Sequence, residues 1–142
     1  MQGMTPGVQP ADSFLQRRSI LLGAMKTVLI VDDVPEVTTL LKAQLERTER
    51  FKVITANGGK EGLRLANSMK PDLVVSDIDM PDLDGGAFAA AMSGAEATKG
   101  IPLVFLSTLV TPRDEHKTMR WPMVSKSSPV DVLIAAIDKA LT

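Results

Sequence analysis

Pro71-Asp-Leu-Val-Val-Ser-Asp-Ile-Asp-Met-Pro-Asp-Leu-Asp-Gly-Gly86 is the stretch whose reading decides the fold. A short apolar strand, Leu73 to Ser76, runs directly into a loop that carries Asp77, Asp79, Asp82 and Asp84. Gly85 and Gly86 are expected to permit a sharp turn there. In an open α/β sheet, ligands bind outside the carboxyl ends of the strands, so a carboxylate at that position is a candidate for chemistry. A loop aspartate can equally be a turn former, and the rest of the chain has to decide between the two.

Upstream, Thr27-Val-Leu-Ile-Val31 is a continuous β-branched and aliphatic run, the pattern of a strand buried on both faces, and Asp32 and Asp33 follow at once. After Pro35, Val37, Leu40, Leu41 and Leu45 recur at helical spacing and are expected to face inward. Asp33 also reads as a helix cap, although only one of two adjacent carboxylates can take that position. Phe51 to Ala56 is a second strand, Asn57-Gly-Gly59 a turn, and the next helix is expected to point Leu63, Ala66 and Met69 inward before Pro71. Downstream, Phe88 and Met92 mark an Ala-rich helix ending near Gly94, and Ile101 to Leu106 is a fourth strand that ends in Ser107 and Thr108. Thr111-Pro-Arg-Asp114 starts a weakly apolar, shortened fourth helix, in which His116 reads as a surface residue. Trp121 to Ser125 is a short edge strand with Lys126 at its end. Ser128-Pro-Val-Asp131 then caps a helix with Val130, Leu133, Ile134, Ile137 and Leu141 on one face. The sum is an α/β fold, a doubly wound five-stranded parallel sheet with helices on both faces.

Bulk properties bound the function. The chain has 142 residues, 44% of them hydrophobic and 23% charged, enough for one domain with a core. A formal net charge of −1, with no clustered Lys or Arg, argues for no nucleic-acid and no membrane partner. No apolar run approaches the roughly 18 residues of a membrane span. The absence of Cys fits a reducing, cytoplasmic setting. Residues 1–24 are expected to be a loose leader or an extra helix ahead of a domain spanning 25–142. The pair Arg17-Arg18 does not make an export signal, because the apolar stretch after it is short and runs on into the first strand.

In a parallel sheet Asp32, Asp33, Asp77, Ser107 and Lys126 all stand at carboxyl ends of strands and so lie on one rim. Three carboxylates held close together repel by roughly 4 kcal/mol per pair at about 4 Å, with an effective dielectric near 20. A divalent cation removes that repulsion, and an all-oxygen site with room for waters suits Mg2+. Beside Asp77 such an ion would draw in a phosphoryl group for attack by the carboxylate, with Lys126 and the Ser107 hydroxyl pairing further phosphoryl oxygens.

Val28-Leu-Ile-Val-Asp-Asp-Val-Pro35, Ala56-Asn-Gly58, Pro71 to Pro81 with Asp84-Gly85, Ile101 to Ser107, and Lys126 together resemble the receiver domain of two-component response regulators. The resemblance covers Lys26 to Leu141 and implies the strand order 2-1-3-4-5 of flavodoxin-like folds, for which a chemotaxis member of this family is a standard example. It implies that Asp77 is the phosphoacceptor and that Asp32 and Asp33 hold Mg2+ with Asp77 and the backbone carbonyl of Asp79. It further makes Ser107 the switch hydroxyl and Lys126 the phosphate-pairing lysine. The phosphoryl group would come from a sensor histidine kinase or histidine phosphotransfer protein, and a downstream protein partner would read the result, as in a phosphorelay. A stand-alone switch with no output domain after Thr142, and no enzyme beyond its own phosphorylation and dephosphorylation, is the expectation.

Four positions depart from the family pattern. Lys126 is followed by Ser127 rather than proline, so the cis peptide usual there is expected to be missing. Met123 replaces the aromatic that normally swings inward. The interval from Ser107 to Lys126 is short, and Thr108 is expected to crowd the phosphoryl group. Signalling would then rely on ordering of the loop and shortened helix rather than on an aromatic rotamer, while Asp79 would modify the phosphoryl lifetime and Asp82 and Asp84 serve as turn residues. Two other readings stay open. One is a receiver-like binding module that is never phosphorylated. The other is a haloacid-dehalogenase-type phosphatase with Asp77 as nucleophile and Asp79 as general acid.

Overall fold

In the computed structural model, which describes residues 25–108 and 120–142, five apolar runs pair into one parallel sheet. The strands are β1 (Lys26–Val31), β2 (Phe51–Ala56), β3 (Leu73–Asp77), β4 (Leu103–Ser107) and β5 (Met123–Ser125). They stand in the order β2-β1-β3-β4-β5, as expected. Helices α1 (Pro35–Arg47), α2 (Gly59–Met69), α3 (Gly85–Gly94) and α4 (Val130–Leu141) follow β1, β2, β3 and β5. The helix expected from Thr111, with His116, and the leader 1–24 lie outside the described residues.

Because side chains alternate along a strand, each central strand feeds two cores, which is why its sequence is apolar without interruption. Val28, Ile30, Leu73, Val75, Val104 and Leu106 pack with Leu45 of α1 and Leu133 and Ile137 of α4. Leu29, Val31, Val74, Leu103 and Phe105 pack on the opposite face with Ala66 of α2 and Phe88 and Met92 of α3. The register Val28↔Leu73, Val74↔Leu103 and Ser107↔Ser125 aligns the polar strand ends along one edge.

Several local expectations change. β3 continues through Asp77, so the carboxylate belongs to the strand and not to the loop. β5 begins at Met123, because Pro122 has no N–H to give to the ladder; its carbonyl accepts from Phe105 N at 2.9 Å. Leu40 and Met69 are 58% and 52% exposed instead of facing inward. α1 buries its core side through Leu45, and α2 does so through Gly62 and Ala66. The N-cap of α1 is Val34, not Asp33, and its amide donates to Asp32 Oδ1 at 2.9 Å. Pro129, not Ser128, is the N-cap of α4, with no side-chain cap bond. Neither Gly85 nor Gly86 has positive φ. Gly85 is instead required by close approach, since a Cβ there would stand 2.7 Å from Ile78 Cγ1 and 2.9 Å from its Cα.

Candidate functional site

β1 and β3 are neighbours, and each delivers one buried aspartate at its carboxyl end. Asp32 is 0% and Asp77 5% exposed, while Asp33 is the more open member of the group. One carboxylate oxygen from each of Asp32, Asp33 and Asp77 lies within 4.8 Å of the others. Their burial would be costly unpaired, and Lys126 offsets it. Lys126 Nζ donates to Asp32 Oδ2 at 2.6 Å and stands 3.3 Å from Asp77 Oδ1. These partners are 94 positions apart in the case of Asp32 and meet only because β5 ends on the same rim. Each carboxylate also accepts locally: Asp32 Oδ1 from Val34 N at 2.9 Å, and Asp77 Oδ1 from Ile78 N at 2.8 Å.

Electrostatics follow from this packing. Burial, and then the charge of Asp32, push the Asp77 carboxyl above its ordinary pKa, and Lys126 and the Asp79 amide only partly oppose them. Burial pulls the Lys126 ammonium down, but the hydrogen bond and charge of Asp32, followed by Asp77, outweigh it and leave its pKa raised. One ammonium thus pairs with two of the three clustered carboxylates, and the rim keeps an excess of negative charge. Hard oxygen donors clustered around such an excess fit a small divalent cation. A cation bound there would compete with Lys126 for Asp32.

Ser107 closes β4 beside this group, buried at 1% exposure and in register with Ser125. Its carbonyl accepts from Lys126 N at 2.9 Å. The Asp79 side chain is exposed and outside the three-carboxylate group. Thr108 is exposed, Met123 is 9% exposed among the side chains packed on α2 and α3, and every described peptide bond is trans, including Lys126–Ser127.

Two features escaped the sequence reading. Asp82 is more than a turn residue: its carboxylate accepts from Gly59 N and Lys60 N, both at 3.0 Å, at the start of α2. Those two amides, Lys60's first, lower its pKa. A contact across 23 residues leaves no spacing signal. Asp84 caps α3 by accepting from Ala87 N at 2.8 Å, which the sequence pattern could have shown. The second feature is a pair of serines around Lys126.

Comparison with known proteins gives a consistent result. The family model of the response regulator receiver domain matches residues 28–138. Protein PilH of Pseudomonas aeruginosa is 35% identical over 97 residues, which is 68% of this chain and 76% of PilH. The alkaline phosphatase synthesis transcriptional regulatory protein PhoP of Bacillus subtilis is 38% identical over 91 residues, 64% of this chain but 35% of that protein. The chain likewise spans 26% of the transcriptional regulatory protein GlrR of Escherichia coli, so it matches only a part of these longer relatives. Among solved structures, the chemotaxis response regulator CheY4 of Vibrio cholerae superposes with a TM-score of 0.72 at 26% identity, over 82% of this chain and 99% of that one.

Proposed function

The chain belongs to the response regulator receiver family, and on that premise we propose that Asp77 accepts a phosphoryl group from a phosphohistidine of a sensor kinase or phosphotransfer protein. The observation that carries this reading is the convergence of Lys126 Nζ on Asp32 Oδ2 at 2.6 Å and on Asp77 Oδ1 at 3.3 Å. In the transfer, an Asp77 carboxylate oxygen forms a new bond to phosphorus as the phosphorus–nitrogen bond of the donor breaks. The electron pair stays on the imidazole, which takes a proton. Lys126, already beside Asp77, moves its charge onto a phosphoryl oxygen, and the Ser107 hydroxyl at the end of β4 donates to another.

Asp32, Asp33, Asp77 and the Asp79 carbonyl are the groups that would hold Mg2+, which when bound supplies positive charge against the phosphoryl oxygens. Residues 25–142 act as the receiver unit, with 1–24 as leader or added helix. The likeness to CheY4 and PilH supports a receiver switch that hands its signal to a protein partner. The phosphatase alternative, with Asp79 as general acid, finds no support in a cluster made of Asp32, Asp33 and Asp77.

Incubation with Mg2+ and acetyl phosphate, read by intact mass, tests the proposal. Wild type gains one base-labile phosphoryl group and Asp77→Asn gains none. An unlabelled wild type would overturn the reading in favour of a binding module that is never phosphorylated.

A further inference from the structure

Lys126 has to leave the backbone in one direction to reach two carboxylates, although a free lysine side chain carries about 2 kcal/mol of rotamer entropy. The backbone around it is tied at four points. Ser128 N donates to the Ser125 carbonyl at 3.1 Å, closing a turn with Lys126 and Ser127 at its centre. Ser127 N donates to Ser125 Oγ at 3.2 Å, and the hydroxyls of Ser125 and Ser127 lie 2.7 Å apart. Lys126 N donates to the Ser107 carbonyl at 2.9 Å. Ser125 is buried, at 2% exposure, and its backbone is fixed in the sheet opposite Ser107. The side chain of Ser125 therefore anchors the residue on the far side of Lys126 to the rigid end of β5.

We propose that Ser125 and Ser127 form a hydroxyl clasp that positions Lys126 over Asp32 and Asp77, an inference that rests on the phosphoacceptor reading of the site. The clasp restrains by hydrogen bonding a position where the family pattern places a proline. The clasp acts through the lysine.

The test compares acetyl phosphate labelling rates at saturating Mg2+ for wild type, Ser125→Ala, Ser127→Ala and Ser127→Thr, alone and in a Lys126→Ala background. Ser125→Ala slows labelling about tenfold and Ser127→Ala about threefold, whereas Ser127→Thr, which keeps the hydroxyl, stays within about twofold of wild type. In the Lys126→Ala background the serine substitutions change the rate by less than about twofold, because the group they position is gone. A serine that only stabilised the fold would give the same slowing in both backgrounds, and that result overturns the clasp. Wild-type rates in both alanine variants overturn it as well. If Ser125→Ala fails to fold, the exposed Ser127 decides the question by the same comparison. No labelling of wild type sinks the phosphoacceptor reading itself, which is a different outcome from a labelled wild type with indifferent serines.

Discussion

The loop that follows Asp77 at the end of β3 and the turn that carries Lys126 after β5 flank the two partners of one ion pair, and they are held by different means. The loop after β3 is fastened from outside. Gly85 N donates to the Ile78 carbonyl at 2.8 Å across its neck, and Asp82 reaches 23 residues back to the first amides of α2. The turn after β5 is fastened mainly from within, by hydroxyls and a carbonyl no more than three residues apart, with one backbone bond from Lys126 N to the Ser107 carbonyl of β4. A loop that borders the proposed nucleophile needs a framework shared with a neighbouring element. A turn that aims one long side chain needs only its own backbone fixed. Damage to the first should therefore spread to α2 and the core, while damage to the second should stay at the lysine.

The largest effect tests the neck of the β3 loop. Gly85→Val forces a side chain into Ile78, where even a Cβ would stand 2.7 Å from Cγ1, and should cost about 2–4 kcal/mol in denaturant unfolding. Gly86→Ala, whose nearest neighbour is Asp84 Oδ1 at 3.4 Å, should leave stability nearly unchanged. Equal effects at the two glycines would remove the close-approach argument.

Next comes Asp82→Ala, which should raise amide exchange at Gly59 and Lys60 by about tenfold while leaving the Ser127 and Ser128 amides protected as before. The folded-state pKa of Asp82 is depressed, so its contribution is present above the unfolded value near 3.8 and is lost as pH falls through the folded one. The wild type should lose this protection in that acid window, and Asp82→Ala should show no such step. Matching pH profiles would break the assignment of the fastening to Asp82.

Asp77→Asn runs the other way. The folded pKa of Asp77 is raised, so its ionised form costs stability at neutral pH, and protonation relieves the cost as pH falls through the folded value. Besides abolishing phosphorylation, the substitution should raise the melting temperature at neutral pH by about 2–5 °C. That gain should shrink toward zero below the unfolded pKa near 3.8. A melting temperature that drops at neutral pH would mean that the Asp77–Lys126 contact outweighs the burial and repulsion from Asp32. Ser127→Ala should be the mildest for stability, within about 0.5 kcal/mol of wild type, because its effect is confined to the direction of Lys126. A loss several times larger would make the turn after β5 as structural as the loop after β3.

These two regions also differ in how far they could be read in advance. Strands β1, β3 and β4 were legible because a parallel strand buried on both faces must be apolar throughout, as Val28 to Val31 and Leu73 to Val75 are. The convergence of Asp32, Asp77 and Lys126 followed from the rule that parallel strands end on one rim. Helical spacing misjudged Leu40 and Met69, since periodicity gives a face but not how much of it a neighbour covers. Gly62 shows the converse. A Cβ there would lie 2.8 Å from Val31 Cγ2, so its lack of a side chain lets α2 sit against β1, which helical spacing alone does not reveal.

The sequence by itself determined the alternation of strands and helices, the rim on which the charged residues gather, and the family to which the chain is similar. Those properties depend on apolar period, chain direction and residue type, all of which are local. The tertiary structure decided which carboxylate Lys126 holds most closely, that Asp82 fastens one loop to α2, and that Ser125 grips Ser127 across the lysine. Each of these depends on atoms approaching within about 3 Å, and hydrogen bonds are too short-ranged and directional to be fixed by residue order alone.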